Sequence, residues 1–316
     1  MSLSDAPDLP SILTSTIALA RTAGALMLEG QRAILTASSG AVDEKKNAVD
    51  LVTEYDVRVE ELVKGELRKQ YPEYGFIGEE SFAAGARPPL TDAPTFCVDP
   101  IDGTTNFVHA FPYACISLGL LYKRQPVLGV VYSPFLRRLY YATRGGGAWM
   151  VLTDTDERVQ LPIGGARPLR GLNEALLGIE WGSDRSPAAM QAKCASFTRL
   201  AGDAAAGGRM AHGLRSLGSA ALNYAMVAQG GLDMYWEIGC WPWDIAAGAI
   251  IAQEAGGFVA GGKNAPLDNV VGEDVLLGRK YIVLRAIADT ETEQGIDAQK
   301  RIIKEFYETV EDYEPN

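Results

Sequence analysis

VDPIDGTTN, residues 98–106, follows the apolar run Thr95-Phe96-Cys97 and places two carboxylates, a proline, a glycine and two threonines within nine residues. Locally it reads as a strand entering a turn, because Pro and Asp-Gly punctuate loops and Thr or Asp caps a helix. Pro100 lacks an N–H and drives the residue before it toward extended geometry, so Asp99 is predicted to end its strand. Ile101 then lies in the turn with its carbonyl free, Asp102-Gly103 completes the bend, and Thr104-Thr105-Asn106 opens a short helix. The unpaired N–H groups of that helix would point back over both carboxylates. Two carboxylates ~4 Å apart repel by about 4 kcal/mol at an effective dielectric of ~20, so such a cluster takes up protons or binds cations. A phosphate bridging a cation and the helix N–H groups would satisfy both halves of the motif.

On the N-terminal side, residues 11–28 carry apolar or small side chains at helical spacing, with Leu13, Ile17, Ala20, Gly24 and Met27 on one face. Residues 36–48 read as an exposed loop, and Thr53-Glu54-Tyr55-Asp56 resembles a capping box opening a helix over 57–70. On the other side, FIG, TFCV, CISLGLLY, PVLGVVYSP, RLYYATR and GAWMVL are short apolar runs divided by turns, which predict an antiparallel-rich sheet. Gly145-Gly146-Gly147 lies between two of these runs with no helix after it, the setting of a hairpin rather than of a phosphate loop.

Beyond residue 170 strands and helices alternate: EALLGIEW, a helix near 186–203, a helix over 219–228, the strand LDMYWE and a helix over 244–255. A last helix carries Ile296, Ile302, Ile303, Phe306 and Val310. The pattern is layered α/β packing in a single unit, with an antiparallel-rich half over 1–152 and an α/β half over 153–316.

The chain has 316 residues, 47% hydrophobic and 22% charged, with a formal charge of -11. That balance argues against a broad nucleic-acid or anionic-membrane surface. No stretch is read as reaching the ~18 apolar residues of a membrane span, and the chain is predicted to be cytoplasmic. Neither a Walker sequence nor a dinucleotide fingerprint occurs. The four cysteines are widely spaced and predicted to be buried thiols, and two histidines give little basis for zinc. Any metal would be held by oxygen, which selects a hard ion such as Mg2+.

DPIDGTTNFVH (99–109) closely resembles the signature of the inositol monophosphatase family, within the superfamily of Mg2+-dependent, lithium-sensitive phosphatases. VDLVTEYD (49–56), FIGEES (76–81), HGLRSLGSA (212–220) and EIGCWPWDIAAG (237–248) agree in order and approximate spacing, so the resemblance runs over about residues 11–290. It implies an αβαβα layered sandwich and two or three Mg2+ ions. Glu79, Asp99 and the carbonyl of Ile101 would hold the first ion, and Asp99, Asp102 and Asp244 the second. Asp56 would serve a third, weaker ion, and Lys45 would face the metal site. Thr104 with Glu79 would orient and deprotonate the attacking water, with Asp102 also counted in the catalytic set. Gly103, Thr104 and Thr105 would cradle the phosphate, while Ala220, Glu237 and Asp244 would meet the substrate's alcohol portion. Trp241 and Pro242 stand where relatives often have a histidine and a smaller residue, so the pocket rim is expected to differ.

Each residue also has a purely structural use. Glu79-Glu80 could be a solvated acidic turn, Asp244 an N-cap, Thr53 and Asp56 a capping pair, and His109 and His212 structural hydrogen-bonders. The leading expectation is a homodimeric phosphoric monoester hydrolase that releases inositol and phosphate from myo-inositol monophosphates. A second keeps the metal chemistry but takes a sugar phosphate, fructose bisphosphate or a nucleotide 3'-phosphate; Glu237 without a clear stacking neighbour weighs mildly against the nucleotide. A third is a non-catalytic metabolite-binding regulator, since a fold alone does not establish turnover.

Overall fold

Residues 6–36, 43–44 and 51–315 are described by the structure, a computed structural model of the chain. Five layers stack in the order helix, sheet, helix, sheet, helix. The outer pair, α1 (Leu9–Thr36) and α2 (Glu54–Gln70), covers one face of a seven-stranded sheet. Its strands are β3 (Gly75–Gly78), β4 (Thr95–Asp102), β5 (Cys115–Tyr122), β6 (Gln125–Ser133), β7 (Arg138–Thr143), β8 (Ala148–Leu152) and β9 (Glu157–Gln160), lying side by side in chain order. Every neighbouring pair is antiparallel except β3 and β4. A two-stranded ribbon, β1 (Asp43–Glu44) with β2 (Leu51–Val52), precedes α2.

The second sheet has the order β11-β10-β12-β14-β13, built from β10 (Leu176–Ile179), β11 (Gly213–Arg215), β12 (Met234–Ile238), β13 (Phe258–Ala260) and β14 (Lys280–Leu284). β10 pairs in parallel with β11 and β12, whereas β14 runs antiparallel to both its neighbours. α5 (Pro187–Ala201) and α9 (Gly295–Thr309) close its outer side through Leu200, Ile302, Ile303 and Phe306. Between the sheets lie α6 (Ala220–Gln229) and α7 (Pro242–Glu254). A helix apolar all round is stable only when covered on every side, and ten of the 13 residues of α7 are buried.

That central helix approaches the large sheet closely because β6 carries glycine where they meet. A Cβ added at Gly129 would stand 2.3 Å from the Ala247 carbonyl oxygen and 2.8 Å from its Cα, both backbone atoms that cannot rotate away. Gly129→Ala is therefore expected to destabilise by about 1–3 kcal/mol, the usual effect of overpacking, and to lower Tm measurably in a thermal melt. An unchanged Tm would mean that α7 tolerates displacement.

Several expectations need correction. β4 does not end at Asp99 but runs to Asp102 through a β-bulge: Asp99 pairs with Ser117 and Asp102 with Cys115, so Pro100 and Ile101 face one residue of β5. The bulge absorbs the missing proline donor. α1 buries Ile12, Thr16, Leu19, Ala23 and Met27, leaving Leu13 and Ile17 half-buried on the flank of the stripe. Contrary to the reading of its sequence, α1 is long and apolar enough by length and composition to cross a membrane; here its buried stripe lies on the sheet. α7 starts two residues before Asp244, and β9 is too short and polar to have been picked out. Cys97, Cys115 and Cys240 are buried thiols, but Cys194 is exposed on α5. Thr53 and Asp56 do form the capping box, and the glycine run is the β7–β8 turn, its Gly145 and Gly147 N–H groups donating to Glu254 at 2.8 and 2.9 Å. Most of the 36–48 segment lies outside the described residues.

Candidate active site

The bulge that carries Asp99 to Asp102 lies at the end of β4 that β3 leaves uncovered, since β3 pairs only with residues 95–98. β3 instead turns into α3 (Glu79–Ala83), whose first residue is Glu79. The buried carboxylate of Glu60 on α2 holds that turn by accepting from Glu80 N at 2.7 Å and Ser81 N at 2.8 Å. After the bulge, Gly103 takes φ 91, a left-handed conformation that favours glycine. A Cβ there would also meet the Tyr113 and Gly218 carbonyl oxygens at 2.9 and 3.0 Å. The chain then enters α4 (Thr104–Val108), and Asn106 bridges the two halves, donating to Tyr113 O at 2.8 Å and Leu217 O at 2.7 Å.

Four helices begin around this point. Asp56 in the first turn of α2 is fully buried; one carboxylate oxygen accepts from Thr53 N and Oγ1 at 2.8 and 2.6 Å, the other from Thr104 Oγ1 at 3.1 Å. Thr104 Oγ1 also lies 3.0 Å from the Ile101 carbonyl. Asp102 reaches the start of α6, accepting from Ser219 Oγ at 2.6 Å, Ala221 N at 2.7 Å and Ala220 N at 3.2 Å. Asp244 sits at the third position of α7 and accepts from Trp241 N at 2.6 Å, so it does the work of a cap without occupying the cap position. The positive helix ends offset part of the negative charge gathered here.

The charge that remains shows in the acidities. Burial, then Glu79, Asp102 and Asp244, push Asp99 well above the carboxylate range, and it hydrogen-bonds to Asp244. Burial and the same neighbours raise Asp244. Burial raises Asp102 to about 6 despite the three donors that favour its anion. Without cations the cluster therefore keeps protons, as like-charged carboxylates in a shared site must. As the side chains stand, no three carboxylates among the described residues close tightly enough around one point to hold an ion. Their chemistry nonetheless fits a hard divalent cation: all donors are oxygen, and a cation would take the place of the protons the cluster holds.

Glu79, Asp102, Gly103, Thr104, Thr105 and Asp244 line one cleft of about 770 Å³, as do Ala220 and Glu237. That volume lies within the usual ~300–1,000 Å³ of small-molecule sites. Asp56, Asp99 and Ile101 are buried and do not line it. Lys45 lies outside the described residues. Glu237, at the end of β12, hydrogen-bonds to Tyr235, and burial followed by the charge of Glu180 raises it to about 7.

Sequence reasoning missed Glu180. It is buried and accepts from Ser216 Oγ, Leu217 N, Gly218 N and Asn223 Nδ2 at 2.7–2.9 Å, fixing the loop before Ala220. An acid directly after an apolar strand, as in Val98-Asp99, was the available signal. The cleft wall is also more aromatic than expected: Trp181 stacks on Phe197 at 4.7 Å and Trp241 on Trp243 at 5.4 Å. His109 and His212 are exposed with no side-chain hydrogen bond among the described residues, so neither is the structural hydrogen-bonder expected.

Comparison with known proteins agrees with this architecture. Protein qutG of Emericella nidulans is 41% identical over 320 residues, covering 97% of this chain and 96% of its own length. Inositol monophosphatase 2 of Saccharomyces cerevisiae is 44% identical over 233 residues, 72% of this chain and 76% of its own. Among solved structures, inositol monophosphatase from Anabaena superposes with a TM-score of 0.70 at 27% identity, covering 96% of this chain and 98% of that one. The model of the inositol monophosphatase family matches residues 8–308, and with the bulged DPIDGTT strand and the cleft above it, this places the chain in that family.

Proposed function

We propose that the chain is a Mg2+-dependent phosphatase that hydrolyses monophosphate esters of cyclic polyols, with myo-inositol monophosphates as the leading substrates. The observation that carries this reading is that one cleft is lined both by the carboxylates Glu79, Asp102 and Asp244 and by Ala220 and Glu237, the residues that would meet the alcohol. Glu79, Asp99, Asp102, Asp244 and the Ile101 carbonyl would hold two Mg2+ ions, with Asp56 serving a third. Bound Mg2+ supplies charge neutralisation at phosphate and leaving group and makes water a stronger acid.

The protein's own part begins with the N–H groups that open α4. With the Thr105 hydroxyl, the N–H groups of Gly103, Thr104 and Thr105 receive the phosphate oxygens, where donors aimed at developing charge act most strongly. Thr104, held between Asp56 and the Ile101 carbonyl, orients the attacking water. Glu79 is half-buried at the cleft edge and accepts the proton. Glu237 accepts hydrogen bonds from ring hydroxyls, and its negative charge disfavours a second phosphate nearby.

The stacked Trp181 and Trp241 on the cleft wall favour a second reading on the same chemistry, an ester whose alcohol carries a flat ring such as a nucleotide. Phosphate release from inositol 1-phosphate, fructose 1,6-bisphosphate and adenosine 3',5'-bisphosphate, each with Mg2+, EDTA or added Li+, separates them. The expected result is Mg2+-dependent, Li+-inhibited release fastest on the inositol ester. Preference for the adenosine ester would move the substrate assignment, and no release from any would favour a binding role.

A further inference from the structure

Residues 310–315 leave α9 and return along the second sheet. Their exposure alternates, with 311, 313 and 315 half-buried and 312 and 314 exposed, the period of an extended segment with one face inward. The segment is held by ion pairs, Arg199 with Glu311 at 2.6 Å and, on its outward side, Lys280 with Asp312 and Glu314 at 3.0 and 2.8 Å. Glu311 N also donates to Ser196 Oγ at 2.9 Å. The inward residues Tyr313 and Pro315 line the same cleft as Thr104 and Glu237, although the family match stops at residue 308.

The Tyr313 ring lies 5.5 Å from the buried ammonium of Lys193, which orients it. Its hydroxyl donates to the Ile238 carbonyl at only 3.5 Å, a bond weak enough for a ligand to replace. Burial, then the charge of Glu237, raise the phenol, so the group remains an O–H donor beside that carboxylate.

We propose that residues 311–315 form a wall of the substrate cleft, and that Tyr313 is a specificity-determining residue contacting the hydroxylated ring of a cyclic polyol phosphate rather than its phosphate. This rests on the phosphatase reading above and names the surface that selects the alcohol.

The test compares the parent chain, Tyr313→Phe and Tyr313→Ala on inositol 1-phosphate and on glycerol 2-phosphate, whose three-carbon alcohol has no ring for the wall to contact. With Mg2+, Tyr313→Ala is expected to raise KM for the inositol ester about tenfold and Tyr313→Phe about threefold, the scale of one or two polar contacts. The kcat for that ester, and both constants for glycerol 2-phosphate, should stay within about twofold. Equal losses on both esters, a loss confined to kcat, or no change would overturn the wall. Tyr313→Phe keeps the ring and its packing, so it decides the matter if the alanine variant does not fold.

Hydrolysis of glycerol 2-phosphate by the parent with unchanged discrimination in the variants defeats the wall and leaves the phosphatase reading intact. Hydrolysis of neither ester by the parent defeats the polyol phosphatase reading. Calorimetric titration with myo-inositol, in Mg2+ and inorganic phosphate, then still decides the wall without turnover. Weaker binding by Tyr313→Ala supports it, and equal binding or none in either chain overturns it.

Discussion

Asp99→Asn is expected to reduce Mg2+-dependent phosphate release by on the order of 10² to 10³-fold, while leaving the cation-free chain at least as stable as its parent at pH 7.5. The two halves of that result have one cause. Asp99 is 2% exposed, and burial and three carboxylate neighbours keep its proton on, with a hydrogen bond to Asp244. Asparagine copies this protonated form: its oxygen keeps the 3.0 Å acceptor role toward Ile101 N and its amide can donate where the acid proton did. The substitution removes only the anion, which a cation needs and the cation-free fold disfavours.

Asp102→Asn would be a poorer probe. From its sequence it reads as a metal and catalytic position, but its two oxygens also accept bonds from Ser219, Ala220 and Ala221 at the start of α6. An amide there turns N–H toward N–H and leaves buried donors unmatched, so lost activity would be mixed with lost stability. For Asp99→Asn, parental activity, or a Tm in EDTA more than about 5 °C lower, would overturn the assignment.

These two aspartates show what the sequence could and could not convey. Regular elements were legible because their signals are local: the 3.6 and 2 periodicities, the Thr53–Asp56 capping box and the turn glycines each act within a few residues. The motif also indicated that Asp99, Asp102 and Thr104 would stand together. What was not legible required contacts between distant segments. The bulge in β4 exists because Asp102 pairs with Cys115, and Glu180 and Glu60 matter through loops 21 to 43 residues away. The rotated stripe of α1 follows the shape of the sheet beneath it, which no helical wheel contains. Tyr313 lay in a segment that read as an acidic tail, and its inward alternation acquires meaning only once the second sheet is built.

Melting temperature in EDTA is expected to fall by roughly 5–15 °C between pH 5 and pH 8, and Mg2+ should restore more of it at pH 8 than at pH 5. The sign follows from the raised carboxylates. A group whose folded value exceeds its unfolded one favours the folded chain fully below the unfolded value, and that contribution is lost as pH rises through the folded value. Asp102 moves from 3.8 to about 6 and Glu237 from 4.5 to about 7, so the loss falls between about pH 4 and 7. At about 1.4 kcal/mol for each tenfold change in acidity, Asp102 alone accounts for roughly 3 kcal/mol over its whole range, of which between about 1 and 2 kcal/mol is lost above pH 5. Asp99 and Asp244 act in the same direction. A cation competes with protons for the same oxygens, so its stabilising effect grows as the protons leave.

Glu237→Gln divides the two contributions, because Glu237 is not among the residues proposed to hold Mg2+ and its neutral isostere cannot ionise. It should flatten the pH slope in EDTA yet keep the full Mg2+ increment at pH 8. A Tm independent of pH in EDTA, or an Mg2+ effect larger at pH 5, would mean that the buried carboxylates are not where the cation binds.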